Sequence, residues 1–263
     1  MKTKVLMEEM SWVEIQEALR EGKDGVIVVS GSIEQHGPHL PTATDTILGY
    51  EVAKRAAEEL GDILVAPVIR PCLSAHHMGF PGSFTLSWET YAAVLRDYCE
   101  SLAEGGFRNI VLTSSHGGNI AVLKALVPDL ARDLWDRTHI HFVDFLSLAE
   151  ESETAYLETL GISRVKGGVH AGYSETSQML VTSPHLVEMD EAQKGLDDES
   201  FYAPENISRS QVDLFIRGLG SFSPNGILGD ARGADPATGE KLLQIAAKAL
   251  VEGISNALKN QDP

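Results

Sequence analysis

Two acids and two imidazoles fall within one short stretch, Gly31-Ser-Ile-Glu-Gln-His-Gly-Pro-His-Leu-Pro-Thr-Ala-Thr-Asp45, directly after the apolar run Val26 to Val29. Carboxylate oxygen and imidazole nitrogen are ligands that a divalent cation such as zinc accepts, and a catalytic metal keeps one position open for water or substrate. Glu34 and His36 are two apart, so in an extended segment their side chains leave on the same face and can converge on one ion. Asp45 supplies a further oxygen, and His116 and Glu175 each follow or precede a glycine-bearing turn. Together these five make two imidazoles and three carboxylates, more than one open zinc site uses. They suit a two-metal centre bridged by one carboxylate, with ions about 3.5–4 Å apart. The bridge is assigned to Asp45.

His170 is the candidate proton donor, five residues before Glu175 across the turn Ala171-Gly-Tyr-Ser174. Its competing readings are a sixth ligand or a group that orients Glu175. The catalytic pair is therefore read as His170 with Glu175. In His116-Gly-Gly-Asn119 the glycines permit a tight turn and close approach to a ligand, and Asn119 can cap the helix that follows. Ser115 lies outside any Gly-x-Ser-x-Gly pattern, which counts against a serine hydrolase. His77 lines a pocket or sits in a surface turn, His39 could orient His36, and Gly226-Ile-Leu-Gly-Asp230 reads as a tight turn, structural or on the rim of the pocket.

The elements that must hold these residues alternate. Strands are expected at Gly25–Ser30, Ile63–Val68, Asn109–Thr113 and His139–Phe142. Helices are expected at Ile47–Leu60, Trp88–Glu104 after the cap Ser87, Asn119–Leu134 with a bend at Pro128, Glu175–Val181 and Thr238–Leu258. That order predicts an α/β fold, a mainly parallel sheet covered by helices, whose ligands gather outside the carboxyl edge of the strands. Loops over the site or against a neighbouring subunit are expected from Val187 to Asp235. With no repeat or linker, residues 1–263 read as one domain.

A net charge of −17, from 38 acids against 21 bases, excludes nucleic acid and an anionic membrane surface as natural partners. Two cysteines, Cys72 and Cys99, make no disulfide framework and fit a cytoplasmic protein. Met1 to Met10 does not read as a signal peptide, and no apolar run approaches the roughly 20 residues that span a bilayer.

The motifs resemble the creatininase (creatinine amidohydrolase) family. The matching pieces are Gly31-Ser-Ile-Glu-Gln-His-Gly-Pro-His-Leu-Pro41 with Asp45, Phe80-Pro-Gly-Ser83, His116-Gly-Gly-Asn119 and His170-Ala-Gly-Tyr-Ser-Glu-Thr-Ser177. The resemblance implies a three-layer αβα sandwich, a small-molecule substrate, a homo-oligomer, often a hexamer, and two divalent ions, usually zinc, manganese or iron. It implies the same ligands, Glu34, His36, Asp45, His116 and Glu175. Creatininases proper carry a bulky residue and a glutamate where this chain has Gly117 and Gly118, and a tryptophan near Val165 to Val169 that is missing here, so the resemblance points away from creatinine itself. The expected reaction is cleavage of a C–N bond in a small cyclic or formyl amide. In it hydroxide generated at the metals attacks the carbonyl, and His170 protonates the departing nitrogen. The alternatives are a lactone or cyclic diketone substrate, or a metal-dependent binding protein without turnover.

Overall fold

Every residue of the first strand, β1 (Gly25–Ser30), is buried. An unbroken Val-Ile-Val-Val run belongs to a parallel strand covered on both faces. The computed structural model describes residues 4–203 and 207–259. It pairs β1 in parallel with β2 (Ile63–Val65) on one side and β3 (Asn109–Ser114) on the other, and β4 (His139–Phe142) completes the order β2-β1-β3-β4. β2 stops at Val65 rather than Val68; Pro67, with no N–H to give, lies just beyond.

The helices in chain order are α1 (Trp12–Arg20), α2 (Thr44–Leu60), α3 (Trp88–Glu104), α4 (Gly117–Leu134), α5 (Phe145–Thr159), α6 (Arg164–Gly167), α7 (Tyr173–Thr182), α8 (Glu199–Tyr202), α9 (Ile207–Arg217) and α10 (Pro236–Lys259). Strand side chains alternate between two cores. Val26 and Val28 join Leu64, Ile110 and Leu112 beneath Tyr91 and Leu95 of α3 and Leu123 and Leu130 of α4. Ile27 and Val29 join Val65 and Val111 beneath Val52 and Ala56 of α2, Met179 of α7 and Leu243 and Leu250 of α10. The result is the αβα sandwich expected.

Ser87 caps α3, its hydroxyl accepting the Thr90 N–H at 3.2 Å. α2 starts at Thr44, three residues before the expected Ile47, which places Asp45 in its first turn, where the aligned peptide dipoles favour a carboxylate. α4 likewise starts at Gly117 rather than Asn119 and continues through Pro128 to Leu134. α1, α5 and α9 lie outside the segments read as helical. α1 buries only Ala18 fully, with Ile15 and Leu19 packed partly buried against the core. The stretch expected as loops from Val187 to Asp235 contains both α8 and α9.

Strand β1 is followed by β2 on one side, yet β3 returns to its other side. Strand order therefore reverses between β1 and β3, and in open α/β sheets the crevice at that reversal is where ligands bind.

Candidate metal centre

The segments that leave β1 and β3 at their carboxyl ends meet at this reversal. After Ser30 the chain doubles back on itself. Ile33 bridges Phe84, the Glu34 N–H donates to the Thr42 carbonyl at 2.8 Å, and His36 bridges Leu40. This fold-back brings Glu34 and His36 beside Asp45 at the start of α2. His116 is the cap residue between β3 and α4. Glu175 sits in the first turn of α7, and His170 precedes that helix in an antiparallel bridge with Leu228.

Asp45 stands at the centre. Its Oδ1 lies 3.1 Å from His36 Nε2 and its Oδ2 lies 3.1 Å from His116 Nδ1. His36 Nε2 is also 3.8 Å from Glu175 Oε2, and His116 Nδ1 is 3.2 Å from Glu34 Oε1. One oxygen of Asp45 thus faces His36, which Glu175 also approaches, and the other faces His116, which Glu34 also approaches, while ligand atoms of Glu34, His36 and Asp45 lie within 4.8 Å of one another. The outer nitrogens are tied to main chain: His36 Nδ1 donates to the Glu34 carbonyl at 3.1 Å and His116 Nε2 to the Leu73 carbonyl at 2.9 Å. Such anchors turn the other ring nitrogen inward, as an imidazole ligand requires. Ser32 Oγ donates to Asp45 Oδ2 at 2.6 Å, and the Ala171 N–H donates to Glu175 Oε2 at 2.5 Å.

Glu34 tests whether a cation fits. Its side chain is fully buried, and neither carboxylate oxygen has a hydrogen-bond partner. Burying an ionised carboxylate in that state costs several kcal/mol unless opposite charge compensates it. A mixed imidazole and carboxylate donor set around bare oxygens is the chemistry of a divalent-cation site.

The electrostatics point the same way. Burial works to lower His36, but Asp45, Glu175 and Glu34 outweigh it and raise the imidazole to about 10. His116 is likewise driven well above its ordinary value, against its burial, by Glu34 and Asp45. Burial opposes the Asp45 charge, yet His36 and His116 hold it well below the usual carboxylate range. Burial raises Glu175 against the pull of His36, and with Asp45 and Glu34 nearby it reaches about 7. The carboxylate field therefore traps protons on the inward nitrogens, and a divalent cation would compete for the same places.

His170 lies beside this set. Its Nδ1 is 3.8 Å from Glu34 Oε1, its Nε2 donates to the Gln35 main-chain carbonyl at 2.8 Å, and its ring centroid is 4.2 Å from that of His36. Burial, aided by the His36 charge, holds it well below its ordinary value. His77 is a buried wall of the site, with Nε2 3.2 Å from Glu34 Oε1. Gly226 and Leu228 form the rim opposite: the Gly226 carbonyl accepts from Gln35, and the Leu228 carbonyl accepts the Val169 N–H at 3.0 Å.

Two sequence expectations change. Asn119 is not the cap of α4; its buried amide accepts the Leu73 N–H at 3.1 Å and donates to the Gly31 carbonyl at 3.0 Å, clamping two loops under the centre. His39 does not orient His36; its Nε2 bonds Thr176 Oγ1 at 2.8 Å and pins α7. Ser115 Oγ donates to the Asp45 carbonyl at 2.7 Å. Residues that the sequence reading passed over are Ser32 and above all Gln35; His76, in the loop read as a pocket wall, packs its ring 4.3 Å from Phe215 of α9. The Glu-Gln-His order was the available signal for Gln35, since a residue between two converging ligands must be accommodated by the surrounding loops.

The creatininase family model, described as creatinine amidohydrolase, matches residues 8–254. A mycofactocin precursor peptide peptidase of Mycolicibacterium smegmatis is 31% identical over 243 residues, covering 90% of this chain and 85% of that protein. A creatinine amidohydrolase of Pseudomonas putida is 26% identical over 275 residues, covering 100% of this chain and 99% of its own length. Among solved structures, a mutant creatininase of Zn-Zn type matches with a TM-score of 0.79 at 23% identity, over 96% of this chain and 98% of that one, a likeness of fold.

Proposed function

The chain belongs to the creatininase family, and from that premise we propose that it is a metal-dependent hydrolase cleaving a C–N bond in a small cyclic or formyl amide. The observation that carries this reading is the pairing of donors about Asp45 with the buried carboxylate of Glu34, whose oxygens make no hydrogen bond and face only imidazole nitrogens. Asp45 Oδ2, His116 and Glu34 would hold one cation, and Asp45 Oδ1, His36 and Glu175 the other. The donor set favours zinc, with manganese or iron as substitutes. When bound, the cations supply a Lewis acid for the substrate carbonyl and a lowered pKa for water.

The protein's own groups do the rest. His170 is kept neutral by burial, with Nε2–H anchored on the Gln35 carbonyl, so Nδ1 can take a proton from the attacking water and return it to the departing nitrogen. Ala171 fixes the Glu175 carboxylate through its N–H. The names of the relatives, a creatinine amidohydrolase and a peptidase, both describe C–N cleavage and support an amide over a lactone or diketone.

We also read the protein as a homo-oligomer, up to a hexamer, on the strength of its family membership, and as cytoplasmic on its two unpaired, buried cysteines. Among the described residues no helix is long and apolar enough to cross a membrane. The test is metal analysis of protein purified without chelator, then a panel of small cyclic amides and formamides assayed beside lactones with the parent and His116→Ala. Bound metal and amide turnover that His116→Ala abolishes are expected. A metal-free protein, or unchanged hydrolysis by the variant, would sink the proposal.

A further inference from the structure

Gln35 lies between Glu34 and His36 in sequence and is buried. Its Oε1 accepts the Gly37 N–H at 2.9 Å, which fixes the orientation of the amide. Its Nε2 then has three neighbours: the Gly226 carbonyl at 3.1 Å, His77 Nδ1 at 3.1 Å and His170 Nε2 at 3.0 Å. An amide nitrogen carries only two hydrogens.

His170 Nε2 also lies 2.8 Å from the Gln35 main-chain carbonyl, an oxygen that can only accept. This nitrogen must therefore bear a hydrogen, and it cannot take another from the amide. The two amide hydrogens go to the Gly226 carbonyl and to His77 Nδ1. A ring nitrogen that accepts is unprotonated, so the His77 proton is on Nε2, the atom 3.2 Å from Glu34 Oε1. His170 is the reverse at the cavity, bare at Nδ1, 3.8 Å from the same oxygen.

We propose that Gln35 is a positioning residue that sorts two neighbouring imidazoles, with centroids 4.7 Å apart, into opposite roles. His77 presents an N–H donor to the cavity, and His170 presents a lone pair. The sorting has a consequence for cation binding. Glu34, His77 and His170 bring ligand atoms within 4.8 Å of one another, as a third cation site would. The proton on His77 Nε2 bars that ring from ligating and leaves its N–H to meet oxygen, including a developing oxyanion on a substrate. The use of these atoms in turnover rests on the hydrolase reading; their protonation pattern does not.

The test is long-range 1H–15N correlation of histidine-labelled full-length protein, as purified and after chelation, with signals assigned through His77→Gln and His170→Gln. Both rings should show the Nε2–H tautomer in the parent. Gln35→Glu has no N–H to offer and its carboxylate would draw a proton to His77 Nδ1. His77 should therefore change tautomer or become doubly protonated, while His170, anchored on main chain, should not. Gln35→Met, which adds no charge, should leave His77 a mixture, and it serves if Gln35→Glu does not fold. An Nδ1–H tautomer of His77 in the parent, or an unchanged His77 in the folded variant, overturns the proposal. The stated tautomers in a protein that turns over no amide would uphold the sorting and count against the hydrolase reading alone.

Discussion

Gly117 and Gly118 are adjacent in the first turn of α4, and replacing each by alanine should have opposite effects. A Cβ at Gly118 would stand 2.3 Å from His116 Nε2 and 2.7 Å from the Leu73 carbonyl oxygen, whereas one at Gly117 meets nothing within 4 Å. The atoms in the way are a ring edge and a main-chain oxygen, neither of which yields like a flexible side-chain tip. Gly118→Ala must therefore break the 2.9 Å bond from His116 Nε2 to Leu73, a net loss of about 1 kcal/mol. It must also turn His116 away from Glu34 and Asp45. Loss of such an orienting contact typically costs 10–100-fold in metal affinity, or roughly 1.4–2.8 kcal/mol. Gly117→Ala removes freedom from the unfolded chain and should be neutral or stabilising by up to about 1 kcal/mol. Zinc affinity by chelator competition, with thermal unfolding of the metal-free proteins as control, separates the two. If Gly118→Ala binds zinc like the parent, His116 is not held for a cation.

Protons and cations should compete at the centre. His36 in the metal-free protein is raised from 6.5 to about 10, so its stabilising contribution is full below about 6.5 and is lost as pH rises through about 10. The melting temperature of the chelated protein should fall over that window, zinc-loaded protein should not follow it, and zinc affinity should rise with pH; a pH-independent affinity would contradict the charge argument. Free cation at about 100 times its dissociation constant stabilises by about 2.7 kcal/mol. At about 2–4 °C per kcal/mol for a chain of this size, chelation should lower the melting temperature by roughly 5–11 °C, and no shift would argue that the centre is empty in solution. Asn119→Ala leaves the Leu73 N–H and the Gly31 carbonyl without their partner and should cost about 1–3 kcal/mol by denaturant unfolding; a neutral effect would mean that the clamp is dispensable.

What could be read from the sequence was what is local. The runs in β1 and β3, the Ser87 cap and the spacing of Glu34 and His36 act within a few residues, and each is found where expected. The two-residue spacing brought Glu34 and His36 to one centre beside Asp45, although the fold-back at Glu34 and Thr42 that brings them there was not visible in a linear pattern. Gln35, Asn119 and His39 acquire their roles from partners far along the chain: Gly226 is 191 residues from Gln35, and Thr176 is 137 from His39. Their neighbourhoods mark Gln35 and Asn119 as parts of motifs but do not reveal these distant partners, and His39 reads as a helper of His36 simply because it is near in sequence. α1 was missed although its signals are local, an apolar stripe through Ile15, Ala18 and Leu19 and a capping box of Ser11 with Glu14.

The placement of the centre follows from the strand order more than from any one motif. α4 belongs to the layer on one side of the sheet, and α2 and α7 belong to the other. His116 comes from the first and Asp45 and Glu175 from the second, with Glu34 reaching His116 across the seam where β1 and β3 run side by side. In the absence of cations the seam is bridged by imidazole protons held between carboxylates. Divalent charge in their place would tie both helical layers to the sheet edge at once. Each core can be packed by apolar contacts alone, but the edge between them cannot, because it is lined by buried acids whose repulsion only positive charge relieves. The two layers and the electrostatics of the centre are thus one structural problem, and the order β2-β1-β3-β4 is what brings the acids and imidazoles close enough to solve it.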